Sequence, residues 1–196
     1  MAEGTQFSTV YNRFLEQITD DMYMELTPQD TIKDLRNLLI NAIPGFEFPR
    51  KNLYDYDLET RIIREDTMLP GDFLIGVVWN ELPEDADVKV PDVIVERSAF
   101  AATLTPEEIN ILALLMKQGW IQRQVSSIEN TRMKYSGSDF KFTSQANHLA
   151  KLLSLLKEAQ REAHHMQRLY KRRKLDENGN YVSIWSEYFG GNNATK

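Results

Sequence analysis

The segment from Thr143 to Lys174 constrains the fold more than any other part of this chain. It contains neither glycine nor proline, and its apolar residues recur at alternating steps of three and four. That spacing places them on one stripe of an α-helix of about 30 residues, or about 45 Å. The stripe comprises Leu149, Leu152, Leu156, Ala159, Ala163, Met166 and Tyr170. We predict one long helix, N-capped by Thr143 or Ser144, whose stripe is the central seam of a helical bundle.

Two further helices carry the same start signal, a Leu-Thr-Pro sequence followed by acidic residues. In residues 26–30 (LTPQD) and 104–108 (LTPEE) the threonine can accept a backbone N–H bond, and the proline suits the first helical position. Glu108 is placed to complete a capping box with Thr105. Helical spacing also predicts a short amphipathic helix over residues 7–22. We expect these helices to lie against the long one.

Residues 46–103 have a different pattern, which predicts strands. Four prolines interrupt the segment, and β-branched and aromatic residues cluster in 46–50, 73–79 and 93–97. Short strands that do not alternate with helices favour a small antiparallel hairpin or sheet over a doubly wound fold.

The predicted fold class is therefore mainly α. We expect a helical bundle around one long C-terminal helix, with a small antiparallel β insertion and an extended C-terminal tail. The bundle domain is predicted to cover residues 1–174, with the β-containing insertion at about 46–103. The tail is predicted to cover residues 175–196.

The composition excludes several classes of protein. The chain has no cysteine, which removes disulfides, thiolate nucleophiles and cysteine-bound zinc and fits a reducing compartment. Its apolar runs are far shorter than the roughly 20 residues that span a bilayer, and its first residues lack the pattern of a secretory signal. We therefore expect no membrane partner.

The net charge of −6 conceals an uneven distribution of charge along the chain. Residues 1–133 carry 12 Lys and Arg against 23 Asp and Glu, whereas residues 134–196 carry 11 against 6. Such asymmetry suits nucleic-acid binding, head-to-tail assembly of identical subunits, or a merely solvated surface.

The positive charge is concentrated at the end of the long helix, where the helix dipole favours cations. This basic cluster consists of Arg168, Lys171, Arg172, Arg173 and Lys174. It is a candidate for contact with nucleic acid, since phosphate contact is physically possible there, or with a neighbouring subunit. The alternative is a solvated helix end whose charges complement the dipole.

The sequence offers little support for catalysis. It contains no G-x-S-x-G elbow, no Walker pattern and no G-x-G-x-x-G loop. His164 and His165 are adjacent on a helix, so they point about 100° apart, and His148 lies four turns upstream. We therefore predict no catalytic residue and no cofactor.

Two acidic segments resemble calcium-binding loops in the spacing of their carboxylates. They cover residues 55–66 and 176–187, but Thr60 and Tyr181 occupy the position of the sharp-turn glycine. We predict no metal site, and leave an enzyme with an acidic metal site near Asp55 and Asp57 as a third hypothesis.

The last residues form a polar segment that carries aromatic side chains but has no core of its own. A turn signal at Asn178-Gly179 is followed by Tyr181, Trp185, Tyr188 and Phe189. We predict that these aromatic residues dock on a partner. The alternative is that they pack back on their own domain.

The order of these elements resembles one family, the head–tail connector or neck adaptor proteins of tailed bacteriophages. A short helix precedes an LTPQD-started helix, a β insertion, an LTPEE-started helix ending in WIQRQ, a YSGSDFKF loop and a SQANHLAKLL helix. The resemblance is carried by residues 19–31 (TDDMYMELTPQDT), 104–124 (LTPEEINILALLMKQGWIQRQ) and 138–153 (SDFKFTSQANHLAKLL). The β insertion and the aromatic tail depart from the smallest members of the family.

The resemblance implies a structural virion protein and not an enzyme. Proteins of this family assemble into a ring, usually dodecameric, beneath the portal. The ring joins the portal to the tail, lines the DNA exit channel and offers a docking surface to tail or stopper proteins. The implied location is the virion neck, with assembly in the host cytoplasm and at most non-specific contact with packaged DNA. A nucleic-acid-binding protein that uses the basic end of the long helix is the alternative.

Overall fold

The computed structural model describes residues 4–18, 23, 26–69, 72–78, 91–134, 142–175 and 181–183. Within these ranges the chain is mainly helical, with a small antiparallel β part, which confirms that much of the predicted fold class. The α-helices are α1 (Phe7–Leu15), α2 (Pro28–Ala42), α3 (Pro106–Lys134) and α4 (Phe142–Arg172). Short 3-10 helices cover Ile43–Gly45 and Glu65–Thr67. None of the helices in these ranges has an apolar stretch long enough to cross a bilayer.

Both Leu-Thr-Pro signals start helices, as predicted. The Asp30 N–H donates to Thr27 Oγ1 at 3.2 Å, and Pro28 is the first residue of α2. Thr105 and Glu108 form a reciprocal capping box at the start of α3. The Glu108 N–H donates to Thr105 Oγ1 at 3.3 Å, and the Thr105 N–H donates to the Glu108 carboxylate at 2.7 Å. Hydrogen bonds between residues three positions apart thus determine where α2 and α3 begin.

Other helix boundaries differ from the predicted ones. α1 ends at Leu15 and not near residue 22, although Ile18 still packs on the core, so the apolar spacing continues beyond the helix. α4 begins at Phe142, so Thr143 and Ser144 lie inside its first turn and neither is the N-cap. It ends at Arg172 because the next residues pair as a strand.

The strands are short and all pair antiparallel. In chain order they are β1 (Tyr56–Asp57), β2 (Thr60–Arg64), β3 (Phe73–Val78), β4 (Asp92–Glu96), β5 (Ala99–Phe100), β6 (Arg173–Leu175) and β7 (Tyr181–Ser183). The order β2-β4-β3 forms a three-stranded sheet, while β1 pairs with β5 and β6 with β7. β3 and β4 confirm two of the predicted strands.

The predicted strand at residues 46–50 is wrong, because this segment packs against α4 instead. Pro49 has no N–H to offer a neighbouring strand. Phe46 is buried with its ring 5.4 Å from that of Tyr170, and the Glu47 N–H donates to Gln167 Oε1 at 2.7 Å. The third strand of the sheet is β2, which was not among the predicted strands.

The central helix of the described fold is α3, so the prediction that α4 forms the central seam is wrong. α3 packs against α1, α2 and α4, and the six residues from Ile111 to Met116 are all buried. A stretch of helix that is apolar on every side belongs in the interior, as this part of α3 does, whereas α4 keeps a polar outward face. The main core therefore lies around α3. Its large side chains include Phe7, Tyr11, Phe14, Leu35, Leu39, Phe46, Phe100, Leu112, Met116 and Tyr170.

The end of α3 and the start of α4 form a separate two-helix unit. We call residues 121–134 and 142–159 the arm. Its buried cluster consists of Ile121, Val125, Leu156 and Ala159. Of the predicted seam residues, Leu156 is buried in this cluster, and Leu149 and Leu152 are half-buried beside it. Met166 is half-buried against the main core.

Ion pairs join the sheet to its surroundings. Arg36 Nη2 of α2 lies 2.5 Å from Glu96 Oε2 of β4, and the Glu96 side chain is fully buried. Arg97 forms a two-pronged pair with Asp72, at 2.7 and 2.8 Å. Removing either cation would leave a buried carboxylate without its charged partner, which is costly. The Arg36–Glu96 pair therefore holds the β insertion against α2, whereas the Arg97–Asp72 pair joins the end of β4 to the start of β3 within the insertion.

Candidate interaction surfaces

The basic cluster predicted from the sequence lies at the exposed end of α4. Arg168, Lys171 and Arg172 are exposed on the last turns of the helix, and Arg173 is exposed at the start of β6. Lys174 belongs to β6, but its side chain lies outside the described part of the structure. The described cations of the cluster thus share one end of the molecule.

Residues 46–50 hold this end of α4 in place. The Arg50 guanidinium stacks over the Tyr170 ring at 4.2 Å, and its Nη2 donates to the Tyr170 carbonyl at 2.6 Å. That bond satisfies one of the carbonyls that a helix leaves unpaired at its C-terminus. The Lys171 ammonium lies 4.0 Å from the centre of the Phe48 ring. Each cation–π contact contributes about 0.5–1 kcal/mol at an exposed site, so the basic end is built into the fold.

A buried polar cluster ties the end of α4 to the start of α3. We call it the Glu108 clamp, and it consists of Lys51, Thr105, Glu108 and Tyr170. The Tyr170 hydroxyl donates to Glu108 Oε1 at 2.6 Å, while the Thr105 N–H and the Lys51 ammonium donate to Oε2 at 2.7 and 3.2 Å. The carboxylate therefore has donors on both of its oxygens.

The electrostatics of the clamp follow from these bonds. Burial raises the pKa of Glu108, but the Thr105 N–H, the Tyr170 hydroxyl and Lys51 outweigh it and hold the pKa below its usual range. Burial and the same carboxylate raise the pKa of Tyr170. At neutral pH the clamp is an ionised carboxylate beside a neutral phenol.

The sequence predicts only one bond of the clamp, the one between neighbouring residues. The bond between Thr105 and Glu108 follows from the capping box, but Lys51 and Tyr170 lie 57 and 62 positions from Glu108. One signal was available, since a tyrosine on an otherwise apolar stripe needs a bonding partner for its hydroxyl when buried. The stripe shows that Tyr170 needs a partner without showing which residue supplies it.

A groove of about 610 Å³ lies between the end of α1, α3 and the arm part of α4. Its apolar lining includes Ile18, Trp120, Leu152 and Leu155, and its polar lining includes Lys117, His148, Glu158 and Glu162. Leu155 is 43% exposed, so the groove presents apolar surface to solvent. Such a lining suits an apolar protein segment better than a charged small molecule.

Most of the predicted docking residues of the tail lie outside the described residues. Tyr181 lies in β7, although its side chain lies outside the described part of the structure, as do Trp185, Tyr188 and Phe189. Leu175 of β6 stands opposite Tyr181 of β7, so the predicted turn at 178–179 falls between two paired strands. Docking of the aromatic residues stays a prediction.

The histidines and the acidic segment are on the surface. His148, His164 and His165 are exposed, and His164 Nδ1 lies 3.4 Å from Glu47 Oε1, an ion pair only when the imidazole is protonated. Across the described ranges, no three His, Asp or Glu side chains are grouped so that they could hold a metal ion. Asp55 and Asp57 are exposed on either side of Tyr56.

Two described surfaces are therefore candidates for partner binding: the basic end of α4 and the groove beside the arm. The aromatic residues after Ser183 remain a candidate from the sequence alone. No protein-family model, curated protein or solved structure matches this chain.

Proposed function

We propose that this chain is a structural, non-enzymatic subunit of a head–tail connector ring of a tailed bacteriophage. The ring joins the portal to the tail and lines the DNA exit channel. The observation that carries the proposal is the order of sequence elements shared with that family, from the LTPQD helix to the SQANHLAKLL helix. The described fold is compatible with it, since α2, the β insertion, α3 and α4 follow in that order.

In this proposal the subunit is a helical bundle with α4 on its outer wall and an extended tail after β7. The tail would bind the portal, a tail protein or a stopper protein through Trp185, Tyr188 and Phe189. An extended segment can add a strand to a partner's sheet, and aromatic side chains are the commonest anchors in protein interfaces. The ring would be dodecameric, as is usual in the family.

The distribution of charge supports assembly of identical subunits. A ring needs a contact between two different surfaces of each subunit. The β insertion, residues 46–103, carries 6 Lys and Arg against 13 Asp and Glu, whereas residues 147–174 carry 8 against 2. Segments of opposite charge on one chain favour head-to-tail contacts and disfavour like-to-like ones.

Assembly with the portal protein encoded in the same genome tests the proposal. Native mass spectrometry and negative-stain microscopy of the mixture should show a ring seated on the portal. A chain truncated after Ser183 keeps β7, so it should retain the circular dichroism of the full chain but lose its partner. Absence of both a ring and any portal contact would reject the proposal.

The alternative function is non-specific nucleic-acid binding by the basic end of α4. It is favoured by the exposure of Arg168 and Arg172, which form no ion pair with any described residue. Affinity for duplex DNA should then fall steeply as salt rises, by counterion release, and fall again when both arginines are changed to Glu. Salt-insensitive or absent binding by a monomer would exclude this alternative.

A further inference from the structure

α4 carries a row of cations that extends well beyond its basic end. Lys157, Arg161, Arg168 and Arg172 follow at steps of four, seven and four, so they share an arc of about 60° over about 22 Å of helix. All four are exposed, and none forms an ion pair with another described residue. We call this row the basic stripe. It faces away from the buried side of the helix, which carries Leu156, Ala159 and Ala163.

The segment Tyr54–Leu58 has the opposite character. Asp55 and Asp57 are exposed and form no ion pair within the described ranges, and Tyr54 and Leu58 are 66% and 49% exposed. The backbone of this acidic segment is ordered by the fold. The Ala101 N–H donates to the Asp55 carbonyl at 2.9 Å, and the rings of Tyr56 and Phe7 lie 5.6 Å apart. Two carboxylates and two large apolar groups are thus held outward together.

We propose that the acidic segment of one copy of this chain docks on the basic stripe of a second copy. Asp55 and Asp57 would pair with stripe cations that have no described partner in their own chain. Tyr54 and Leu58 would cover the arginine stems and the exposed side chain of Leu153, which lies one turn before Lys157 on the same face. The proposal rests on the proposed function for its setting, because it supplies a contact between neighbouring subunits of the ring.

A second copy explains more of the surface than a nucleic acid does. DNA would neutralise the basic stripe but would repel the acidic segment and leave its apolar groups exposed. Another copy of this chain brings both surfaces in equal number, so one kind of contact satisfies both. Because the two surfaces differ, the contact is heterologous and can be repeated around a closed ring.

The lack of natural cysteine makes the contact directly testable by cross-linking. Leu58→Cys places a thiol at the end of the acidic segment, and Ser154→Cys places one beside the basic stripe. Neither substitution alters a charge. Equal amounts of the two full-length variants are mixed and treated with a short bismaleimide. We expect a cross-linked dimer at about 50 mM salt that falls several-fold at about 500 mM, where screening is strong. Asn37→Cys, exposed on α2, replaces either partner as the control and should give only background.

Charge reversal then separates a specific contact from a general attraction. In the Ser154→Cys chain, the cations are reversed by Lys157→Glu with Arg161→Glu. In the Leu58→Cys chain, the carboxylates are reversed by Asp55→Lys with Asp57→Lys. Either reversal alone should lower the cross-linked yield at least about tenfold. Mixing the two reversed chains should restore it. Circular dichroism checks that each variant is folded.

The outcomes distinguish the interface from the proposed function. The proposed interface would be overturned by any of three results, even if a ring forms on the portal. These are no cross-link, the same cross-linked yield with Asn37→Cys, or a yield that charge reversal does not change. If the chain binds DNA, if Lys157→Glu with Arg161→Glu abolishes that binding, and if no cross-link forms, the basic stripe would be a nucleic-acid site. That result would also overturn the proposed interface. A charge-dependent cross-link without portal binding would support the interface and reject the connector function.

Discussion

The main core and the arm are built partly from the same two helices, yet they are stabilised very differently. Among the described residues, 23 buried hydrophobic residues form the main core and four form the cluster of the arm. In the main core α3 is enclosed by α1, α2 and the end of α4. In the arm, the described buried cluster comes from α3 and α4 alone, and Arg123 pairs with Asp34 of α2 at its edge. The same helix is thus an interior element at one end and a surface element at the other.

This contrast shows that helix length and helix stability are separate matters. Burial of apolar surface contributes about 25 cal/mol per Å², so the four described cluster residues contribute far less to the arm than the 23 contribute to the main core. The Glu108 clamp lies on the other side, where the end of α4 meets the main core. We therefore expect local opening to begin in the arm and the main core to open last.

Truncation of a main-core side chain should have the largest effect. Leu112 is fully buried in α3, and Leu112→Ala should lower the free energy of unfolding by about 2–5 kcal/mol through lost burial and a cavity. Urea denaturation monitored by circular dichroism measures the change. Leu155→Ala, the same substitution in the exposed groove, is the matched control and should cost less than about 1 kcal/mol. Equal losses would remove the distinction between core and surface.

Truncation inside the arm should have a smaller and local effect. Leu156→Ala should cost about 2 kcal/mol, near the lower end for buried leucines, because a two-helix cluster can partly collapse onto the cavity. Hydrogen exchange should accelerate in residues 142–159 while the amides of α1 and α2 keep their protection. If protection fell equally in all helices, the arm would be an integral part of the core.

Loss of the Tyr170 hydroxyl should weaken the attachment of α4 to the main core. Tyr170→Phe keeps the ring contacts with Phe46 and Arg50 but removes one donor from the buried Glu108 carboxylate. We expect a loss of about 1–3 kcal/mol in urea denaturation. If the free energy of unfolding did not change, the bonds from Lys51 and Thr105 would be sufficient to stabilise the buried carboxylate.

The clamp should also make stability depend on pH. The pKa of Glu108 in the folded chain lies below its ordinary value of 4.5, so its stabilising contribution is present above that value and is lost as the pH falls through the folded pKa. Unfolding free energies measured from pH 7 to pH 3 should therefore fall less steeply in Glu108→Gln than in the wild type. Equal slopes in Glu108→Gln and the wild type would show that the clamp does not contribute to the pH dependence.

The smallest predicted effect concerns Gly119, where the main core passes into the arm. A Cβ atom there would lie 3.6 Å from Leu38 Cδ2, an ordinary van der Waals contact, so no close backbone requires the glycine. Gly119→Ala should raise the free energy of unfolding by up to about 1 kcal/mol, because it favours the helix and restricts the unfolded chain. Thermal denaturation would show a small increase in Tm, whereas a decrease would reveal a tight contact.

The features predicted correctly are those that depend on nearby residues. Thr27 and Thr105 mark helix starts because their bonding partners are three positions away. The clustering of β-branched and aromatic residues in β3 and β4 and the stripe of α4 are likewise local patterns. The basic end of α4 follows from composition and from the helix dipole.

By itself, the sequence determined the helices, two of the strands, most helix starts and the charge at each end, because a cap, a periodic stripe or a run of like charge involves only neighbouring residues. Only the tertiary structure decided that α3 is central, that residues 46–50 pack on α4, and that Lys51 and Tyr170 meet at Glu108. These results depend on which apolar faces compete for the same interior and on bonds between residues some 60 positions apart. No periodic pattern encodes such choices, because they are settled by the packing of the whole chain.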